Sequence, residues 1–300
     1  MSARGGAAGE GPARGARPTA RLWIGGAPVP AASGELVEVT DTRGRPAGRV
    51  AVAGEDDLRS AVAAARSAFA DGAGRDAAQR GRVLYRLAEL VDADVEAYAA
   101  DLAATVPGGL RRARAEVAHA VERLVAHAGW CDKYALVLGG QPQVADAFHV
   151  QVTPVPVGTV GVLAPDEQPL LALVALVVPP LAVGCTVVAH AAPAHPFAAL
   201  RLAEAGTAAG LPDGACNLLT GPREGLLEAC AAHRGLDALH AAGCTRAEQR
   251  TLEGGAAGDL KRVLVRDTCG DAWADAADGA SPWWLEPFVE TRTLWHPAGG

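Results

Sequence analysis

The sequence predicts an α/β protein built on a doubly wound parallel sheet, a Rossmann-like fold with helices on both faces. The first indication is a βαβ unit: a β-branched strand at 159–164, an almost wholly apolar helix at 170–183 and a second strand at 185–189. The second is that strands and helices keep alternating up to residue 265, which is typical of parallel sheets. Ligands of such sheets bind at the carboxyl ends of the strands, so a site is expected there.

The segment before this unit is predicted to hold a tail, short strands and helices. Residues 1–19 consist mainly of Gly, Ala, Arg and Pro without apolar periodicity, so we expect a disordered tail, with a targeting leader as the alternative. Strand candidates lie at 21–26 and 35–52. Helical periodicity marks residues 55–69, 77–102 and 110–134. Residues 144–157 alternate weakly between glycines and predict an exposed hairpin arm.

After the βαβ unit, strands and helices continue to alternate up to residue 265, and the pattern then ends. Helices are expected at 197–209, 224–232 and 246–253. Strands are expected at 216–220, 236–241 and 260–265. Residues 268–287 show no period and indicate a connecting loop. Residues 289–295 predict one last strand that stands apart from the helices.

Composition and charge argue against several classes of function. Apolar residues make up 50% and charged residues 20% of the chain, which is typical of a globular protein with a sizeable core. A net charge of −7 disfavours nucleic acid as a partner. Six cysteines without CxxC spacing indicate neither a metal site nor a disulfide framework. Pro179 and Pro180 argue against a membrane span, and the lack of an apolar signal segment favours the cytoplasm.

Several stretches, in order along the chain, resemble the aldehyde dehydrogenase superfamily. "PVGTVGVLAPDEQPLLALVALVVPPLAVGCTVV" at 156–188 is similar to the first nucleotide-binding βαβ unit of that family. "AGLPDGACNLLTG" at 209–221 is the most diagnostic stretch, and "VETRTLW" at 289–295 resembles the strand by which the family's subunits associate. More narrowly, "APDEQPLL", "LKRVLVRDTCGDAW" and "TRTLWHPAGG" resemble the truncated carboxyl-terminal half of family sixteen aldehyde dehydrogenases.

The resemblance also implies how the chain is divided. An NAD-binding domain is expected at 20–267, including the arm at 144–157, followed by a connecting loop at 268–287 and an oligomerisation strand at 288–300. Only about twenty residues separate Arg266 from that strand, far fewer than a domain needs. The family's catalytic domain is therefore expected to be missing.

The resemblance further implies which groups the family's chemistry needs. Aldehyde oxidation requires a cysteine nucleophile, a hydrogen-bond donor for the oxyanion and a glutamate base. Glu167 stands at the position of the donor asparagine, within "PDEQP", and Arg266 stands at the position of the base, within "RDTC". Cys269 is the nearest thiol in sequence, and its plainer interpretation is a small loop residue. No catalytic residue is expected.

Candidate cofactor-binding residues follow from the same resemblance. They are Pro165, Glu167, His190, Gly221, Gly243 and Cys244. His190 replaces a lysine that contacts the adenosine ribose, and it either donates a hydrogen bond there or is a polar residue at the sheet rim. Cys244 replaces a serine of the phosphate turn and is expected to cap the next helix weakly. Pro193 and Glu248 stand where ribose and pyrophosphate contacts are expected, so NAD(P) binding is predicted to be weak or lost.

The favoured hypothesis is a non-catalytic subunit, a pseudoenzyme, that forms a homo-oligomer or a hetero-oligomer with a catalytic aldehyde dehydrogenase. Two alternatives remain open: an NAD(P)-dependent aldehyde oxidoreductase with displaced catalytic residues, and a nucleotide-binding sensor without chemistry. The terminal strand at 289–295 is expected to pair with a neighbouring subunit, and folding back onto its own arm is the alternative.

Overall fold

The computed structural model describes residues 19–72, 76–145 and 147–298, so the predicted tail lies outside them except for Thr19. The described chain begins with short strands. They are β1 (Leu22–Ile24), β2 (Ala27–Val29), β3 (Leu36–Thr40) and β4 (Pro46–Ala51). β3 and β4 form a separate antiparallel ribbon, in which Val39 and Val50 are buried against Phe197.

Helices follow these strands. They are α1 (Glu55–Gly72), α2 (Ala77–Ala93), α3 (Val95–Thr105), α4 (Gly109–Trp130) and α5 (Tyr134–Leu138). Asp57 anchors the start of α1, because its carboxylate accepts the backbone N–H groups of Gly54 and Ala32, both at 2.9 Å. The single long helix predicted at 77–102 is wrong. The chain breaks at Asp94, which ends α2 and begins α3, and aspartate is an unfavourable residue inside a helix.

The second half alternates strands and helices as the sequence predicted. Its elements are β5 (Phe148–Pro156), β6 (Thr159–Leu163), α6 (Pro169–Val183), β7 (Thr186–His190), α7 (Phe197–Ala209), β8 (Cys216–Leu219), α8 (Glu224–Ala232), β9 (Ala238–Ala242), α9 (Arg246–Ala256), β10 (Arg262–Arg266), α10 (Ala276–Gly279) and β11 (Val289–Pro297).

The main sheet has the order β10-β9-β6-β7-β8-β1-β2. The strands from β10 to β8 run parallel, which confirms the predicted α/β class. β1 pairs antiparallel with β8, so the β1–β2 hairpin closes one edge of the sheet. The chain runs from β6 towards β7 on one side and returns to β9 on the other. This reversal of strand order opens a crevice at the carboxyl ends of β6 and β9.

α6 is the buried crossover helix of the fold. All its residues are buried, and it packs with α2 and α4 on one face of the sheet, while α1, α8 and α9 cover the other. It ends at Gly184, whose φ of 102° suits glycine alone without strain. α6 has 15 residues, and no helix in the described ranges is long and apolar enough to cross a membrane.

The segment at 268–287, predicted as a connecting loop without regular structure, contains short helical turns and buried tryptophans. Trp273 and Trp284 are 1% and 3% exposed, with ring centroids 6.5 Å apart. The Trp284 ring also contacts the guanidinium groups of Arg123, at 5.6 Å, and Arg266, at 4.0 Å. This segment is therefore part of the core.

The predicted hairpin arm contains one long strand. β5 forms nine consecutive antiparallel pairs with β11, and the second strand of the expected hairpin is reduced to a single bridge between Gly140 and Val152. The terminal strand thus folds back onto the arm of its own chain. Phe148 and Trp295 meet edge to face near the end of this ribbon and stay 42% and 57% exposed.

Candidate functional site

A cavity of about 630 Å³ lies at the carboxyl ends of the parallel strands, a volume typical of small-molecule sites. The turns after β6, β7, β8, β9 and β10 line it, together with residues of β3. Four of the predicted cofactor-binding residues belong to this lining: Pro165, Glu167, Gly221 and Gly243. The other two, His190 and Cys244, are not part of it.

The turn after β6 presents Glu167 to the cavity. The next residue, Gln168, adopts the left-handed conformation, with φ 47° and ψ 57°, and its side-chain amide donates to the carbonyl of Gly270 at 2.7 Å. The carboxylate of Asp166 accepts the N–H of Ala194 at 2.8 Å. These two hydrogen bonds fix the turn and leave the exposed carboxylate of Glu167 facing the cavity.

Arg223 occupies the crevice between β6 and β9, and the sequence analysis missed it. Its guanidinium donates to the carbonyl of Gly243, at 3.2 Å, and to the carbonyl of Ala164, so it bridges the ends of the two strands. It also lies 3.7 Å from the carboxylate of Glu248. The signal in the sequence is a long cation directly after the Gly221-Pro222 turn, where glycine-rich turns leave room for a ligand.

The amino terminus of α9 is closed by a capping box. The hydroxyl of Thr245 accepts the N–H of Glu248 at 3.2 Å, and the carboxylate of Glu248 accepts the N–H of Thr245 at 2.7 Å. The prediction that Cys244 caps this helix is wrong, because the adjacent threonine does so. Burial raises the pKa of Glu248, but the hydrogen bonds from Thr245 and the charge of Arg223 outweigh it and keep the pKa below its ordinary value.

His190 ends β7 and is only 2% exposed, so it is a buried residue and not a polar group at an exposed rim. Burial lowers its pKa to about 4, and the charge of Arg223 acts in the same direction. The imidazole is therefore neutral at neutral pH.

Arg266, at the predicted base position, points towards the tryptophan segment. Its Nε lies 3.1 Å from Nε2 of His240, whose Nδ1 lies 2.9 Å from the carbonyl of Leu176. Burial lowers the pKa of His240 to about 3, so this imidazole is neutral, donates through Nδ1 and accepts from Arg266 through Nε2. The guanidinium is thus held by the histidine and stacked on Trp284.

The cysteines divide into two groups. Burial raises the pKa of five thiols, to about 11 for Cys131, to about 12 for Cys185, Cys216 and Cys230, and upwards for Cys244. Cys269 is the exposed one, and it lines the cavity. All six are free thiols, and the described residues contain no cluster of His, Cys, Asp and Glu that could hold a metal ion.

The sequence profile of the aldehyde dehydrogenase family matches residues 29–270, which is most of the chain. The chain belongs to the aldehyde dehydrogenase family. Among curated relatives, the mitochondrial benzaldehyde dehydrogenase of Antirrhinum majus is 34% identical over 82% of this chain and 46% of its own length. The aminoacetaldehyde dehydrogenase of Pseudomonas aeruginosa is 32% identical over 74% of this chain and 44% of its own. The chain spans about half the length of the curated relatives it matches.

Solved aldehyde dehydrogenases share the architecture. The NAD-dependent aldehyde dehydrogenase of Sinorhizobium meliloti superposes with a TM-score of 0.78 at 28% identity, covering 83% of this chain and 50% of that one. PnpE in complex with nicotinamide adenine dinucleotide gives a TM-score of 0.79 at 28% identity, covering 82% and 50%. The family and the fold are therefore confirmed, and the narrower similarity to family sixteen stays a prediction.

Proposed function

We propose that this aldehyde dehydrogenase family protein is a non-catalytic subunit, which acts by assembling with itself or with a catalytic aldehyde dehydrogenase. The observation that carries the proposal is the environment of Arg266. A guanidinium hydrogen-bonded to His240 and stacked on Trp284 stands where the family resemblance expects a glutamate base. Arginine stays protonated at neutral pH, so it cannot take a proton from an attacking water.

The oxyanion position supports the same proposal. Glu167, which replaces the expected donor, faces the cavity as an exposed carboxylate. An ionised carboxylate accepts hydrogen bonds and donates none, and its charge opposes a developing oxyanion. Two of the three groups that aldehyde oxidation needs are thus replaced. A protonated arginine stands at the position of the base, and a hydrogen-bond acceptor stands at the position of the donor.

The cavity residues also do not fit the pyrophosphate of a dinucleotide. At the amino terminus of α9, where a helix would favour an anion, the carboxylate of Glu248 already uses the backbone donor of Thr245. Arg223 is the cation that lines the cavity beside this terminus, and it is engaged by two strand-end carbonyls and by Glu248. Weak or absent NAD(P) binding follows from this charge arrangement.

The ribbon of β5 and β11 supports the assembly part of the proposal. Its outer residues include large apolar side chains, Phe148, Leu294 and Trp295, that are each at least 42% exposed. The outer edge of β11 has no strand beside it in the described chain. An open edge next to exposed aromatic residues is a typical surface for association with another subunit.

A displaced oxidoreductase remains the second candidate, because one observation favours it. Cys269 is exposed and lines the cavity from the turn after β10, and Glu167 lines it from the turn after β6, so a thiol and a carboxylate share one site. In that case Cys269 would be the nucleophile and Glu167 the base. Aldehyde-dependent NADH formation that disappears in the Cys269→Ser variant would favour this candidate over the first.

The assembly is tested by light scattering of the purified 30.4 kDa chain, alone and with a catalytic aldehyde dehydrogenase of the same host. We expect the mass of a dimer or larger species, or of a mixed complex. Phe148→Ser combined with Trp295→Ser should lower that mass, while Leu260→Ser, at a 92% exposed residue that is not part of the ribbon, should not. A monomer in both experiments, unchanged by either variant, would contradict the proposal.

A further inference from the structure

Two histidines lie opposite each other on the ribbon of β5 and β11. His149 and His296 are direct partners in the antiparallel register, and both are exposed. Residues that are opposite in such a register share a face of the ribbon, with Cβ atoms about 4.5–5.5 Å apart. Neither ring forms a hydrogen bond or an ion pair with another described residue. Both imidazoles can therefore bind a ligand from the same side.

The histidine pair belongs to the face of the ribbon that its own chain leaves uncovered. On the other face, Val150 and Pro154 are buried, so the rest of the chain covers that face at these positions. On the face of the histidine pair, every β11 position is exposed, and Leu294 is 42% exposed. We call this the histidine face, and it consists of His149, Gln151, Thr153 and Val155 of β5 and of Glu290, Arg292, Leu294 and His296 of β11.

Two imidazoles are half of the ligand set of a structural zinc site. Imidazole nitrogen is a preferred ligand of Zn²⁺, and structural sites bind the ion through four protein ligands in a tetrahedral arrangement. The described residues of one chain contain no group of three His, Cys, Asp or Glu that could hold a metal ion. Two copies of the histidine face together supply four imidazoles. The ligand count therefore selects a second copy of this chain as the occupant of the face.

The dimensions of two stacked ribbons fit such a site. Sheets that pack face to face lie about 10 Å apart, so an ion midway between them is about 5 Å from each. An imidazole side chain and a zinc–nitrogen bond of about 2.0–2.1 Å together span that half-distance. A twofold axis through the ion relates the two histidine pairs, as in most dimers of identical chains.

We propose that the histidine face forms a zinc site shared by two copies of the chain, in which His149 and His296 of each copy bind one Zn²⁺. The inference rests on the self-assembly in the proposed function. It adds to that function the metal ion and the surface through which two copies meet.

Light scattering of the full-length protein with and without zinc tests the proposal. After treatment with EDTA we expect the mass of one chain, and zinc chloride should raise it about twofold, because the metal binds only the paired state. Metal analysis of the dimer should give one zinc for two chains. His149→Ala and His296→Ala should each abolish both results. His119→Ala, at a half-exposed histidine of α4, is the matched control and should keep them.

Two replacements of one residue separate metal binding from packing. Cysteine thiolate is also a zinc ligand, so His296→Cys in a non-chelating reductant should keep the zinc-dependent dimer, whereas His296→Asn should not. One zinc per chain on a monomer would overturn the proposal, as would a zinc response that His149→Ala and His296→Ala leave unchanged.

The same measurements distinguish failure of the zinc site from failure of the proposed function. A dimer that persists in EDTA and in the histidine variants would overturn the zinc site and leave the proposed assembly standing. A monomer with and without zinc would also overturn the zinc site, and the proposed function would then depend on the mixed complex with a catalytic aldehyde dehydrogenase.

Discussion

The pairing of Arg223 with Glu248 sets the charge of the cavity. Each residue alone would change what the crevice binds: a free arginine attracts phosphate, and a free helix amino terminus does the same. Together they satisfy one another, with 3.7 Å between guanidinium and carboxylate, and both strand ends are bridged. The domain therefore keeps the fold of a nucleotide-binding domain, while Arg223 and the amino terminus of α9 are already paired with Glu248.

Removing the carboxylate should restore part of the site. Glu248→Gly removes a negative charge from the α9 amino terminus and releases Arg223, so we expect NAD to bind about tenfold more tightly or better, measured by calorimetry. Glu253→Gly, in the C-terminal half of the same helix, serves as the control and should not change binding. An unchanged affinity in the Glu248 variant would mean that other features close the site.

Buried neutral histidines make stability depend on pH. Burial, with the charge of Arg123, lowers the pKa of His127 from 6.5 to about 3, so the unfolded chain takes up this proton more readily than the folded one. The contribution of the neutral His127 to the free energy of unfolding is complete above pH 6.5 and is lost as the pH falls towards 3. His127→Leu and His127→Asn cannot titrate, so either should reduce the slope of unfolding free energy between pH 6 and 5 by about 1 kcal/mol per pH unit.

Urea denaturation at the two pH values measures this slope. Agreement between the leucine and asparagine variants would assign the change to titration, because the two replacements pack differently. A slope equal to that of the parent in both variants would contradict the assignment.

Among the elements of the fold, the segment between β10 and β11 stabilises the structure through a buried tryptophan. Trp284 is 3% exposed and contacts Arg123, Arg266 and Trp273, whereas its neighbour Trp283 is 58% exposed. We expect Trp284→Ala to lower the free energy of unfolding by about 3–5 kcal/mol. The matched change Trp283→Ala should stay within about 0.5 kcal/mol. Circular dichroism during urea denaturation measures both, and similar values for the two variants would contradict the packing described.

Much of the secondary structure could be predicted from the sequence, and the features that were missed have physical causes. The buried helix α6 and the alternation of strands and helices up to β10 could be predicted, because apolar runs bounded by glycines indicate local structure directly. The break at Asp94 was missed because apolar periodicity continues across it. Burial of Trp273 and Trp284 was missed because their segment has no period, and its packing depends on distant partners, above all Arg123.

The candidate site also contains residues that could be predicted from the sequence and residues that could not. Glu167 was expected at the site from the family resemblance, and Gly243 also because the strand ends of a parallel sheet meet at one edge; both line the cavity. Arg223 was missed because its role comes from contacts with Ala164 and Gly243, which are far apart in sequence. Similarly, Thr245 caps α9 where Cys244 was predicted to do so, although the helix begins at Arg246 as predicted, because Thr245 is the residue directly before the helix and its hydroxyl accepts the N–H of Glu248.

The chain spans about half the length of the benzaldehyde and aminoacetaldehyde dehydrogenases that it matches, and twenty-two residues separate β10 from β11. The described residues form a seven-stranded sheet with five parallel strands, helices on both of its faces and a ribbon with exposed aromatic residues. The altered site and the open strand edge support the proposed role in assembly. We therefore expect that the chain does not oxidise aldehydes.

The test is NADH formation by the full-length protein with a panel of aliphatic and aromatic aldehydes, compared with the Cys269→Ser variant. With Arg266 at the base position and Glu167 at the oxyanion position, we predict no NADH above the aldehyde-free control in either protein. Aldehyde-dependent NADH formation by the parent chain that disappears in Cys269→Ser would contradict the account and establish a displaced catalytic site.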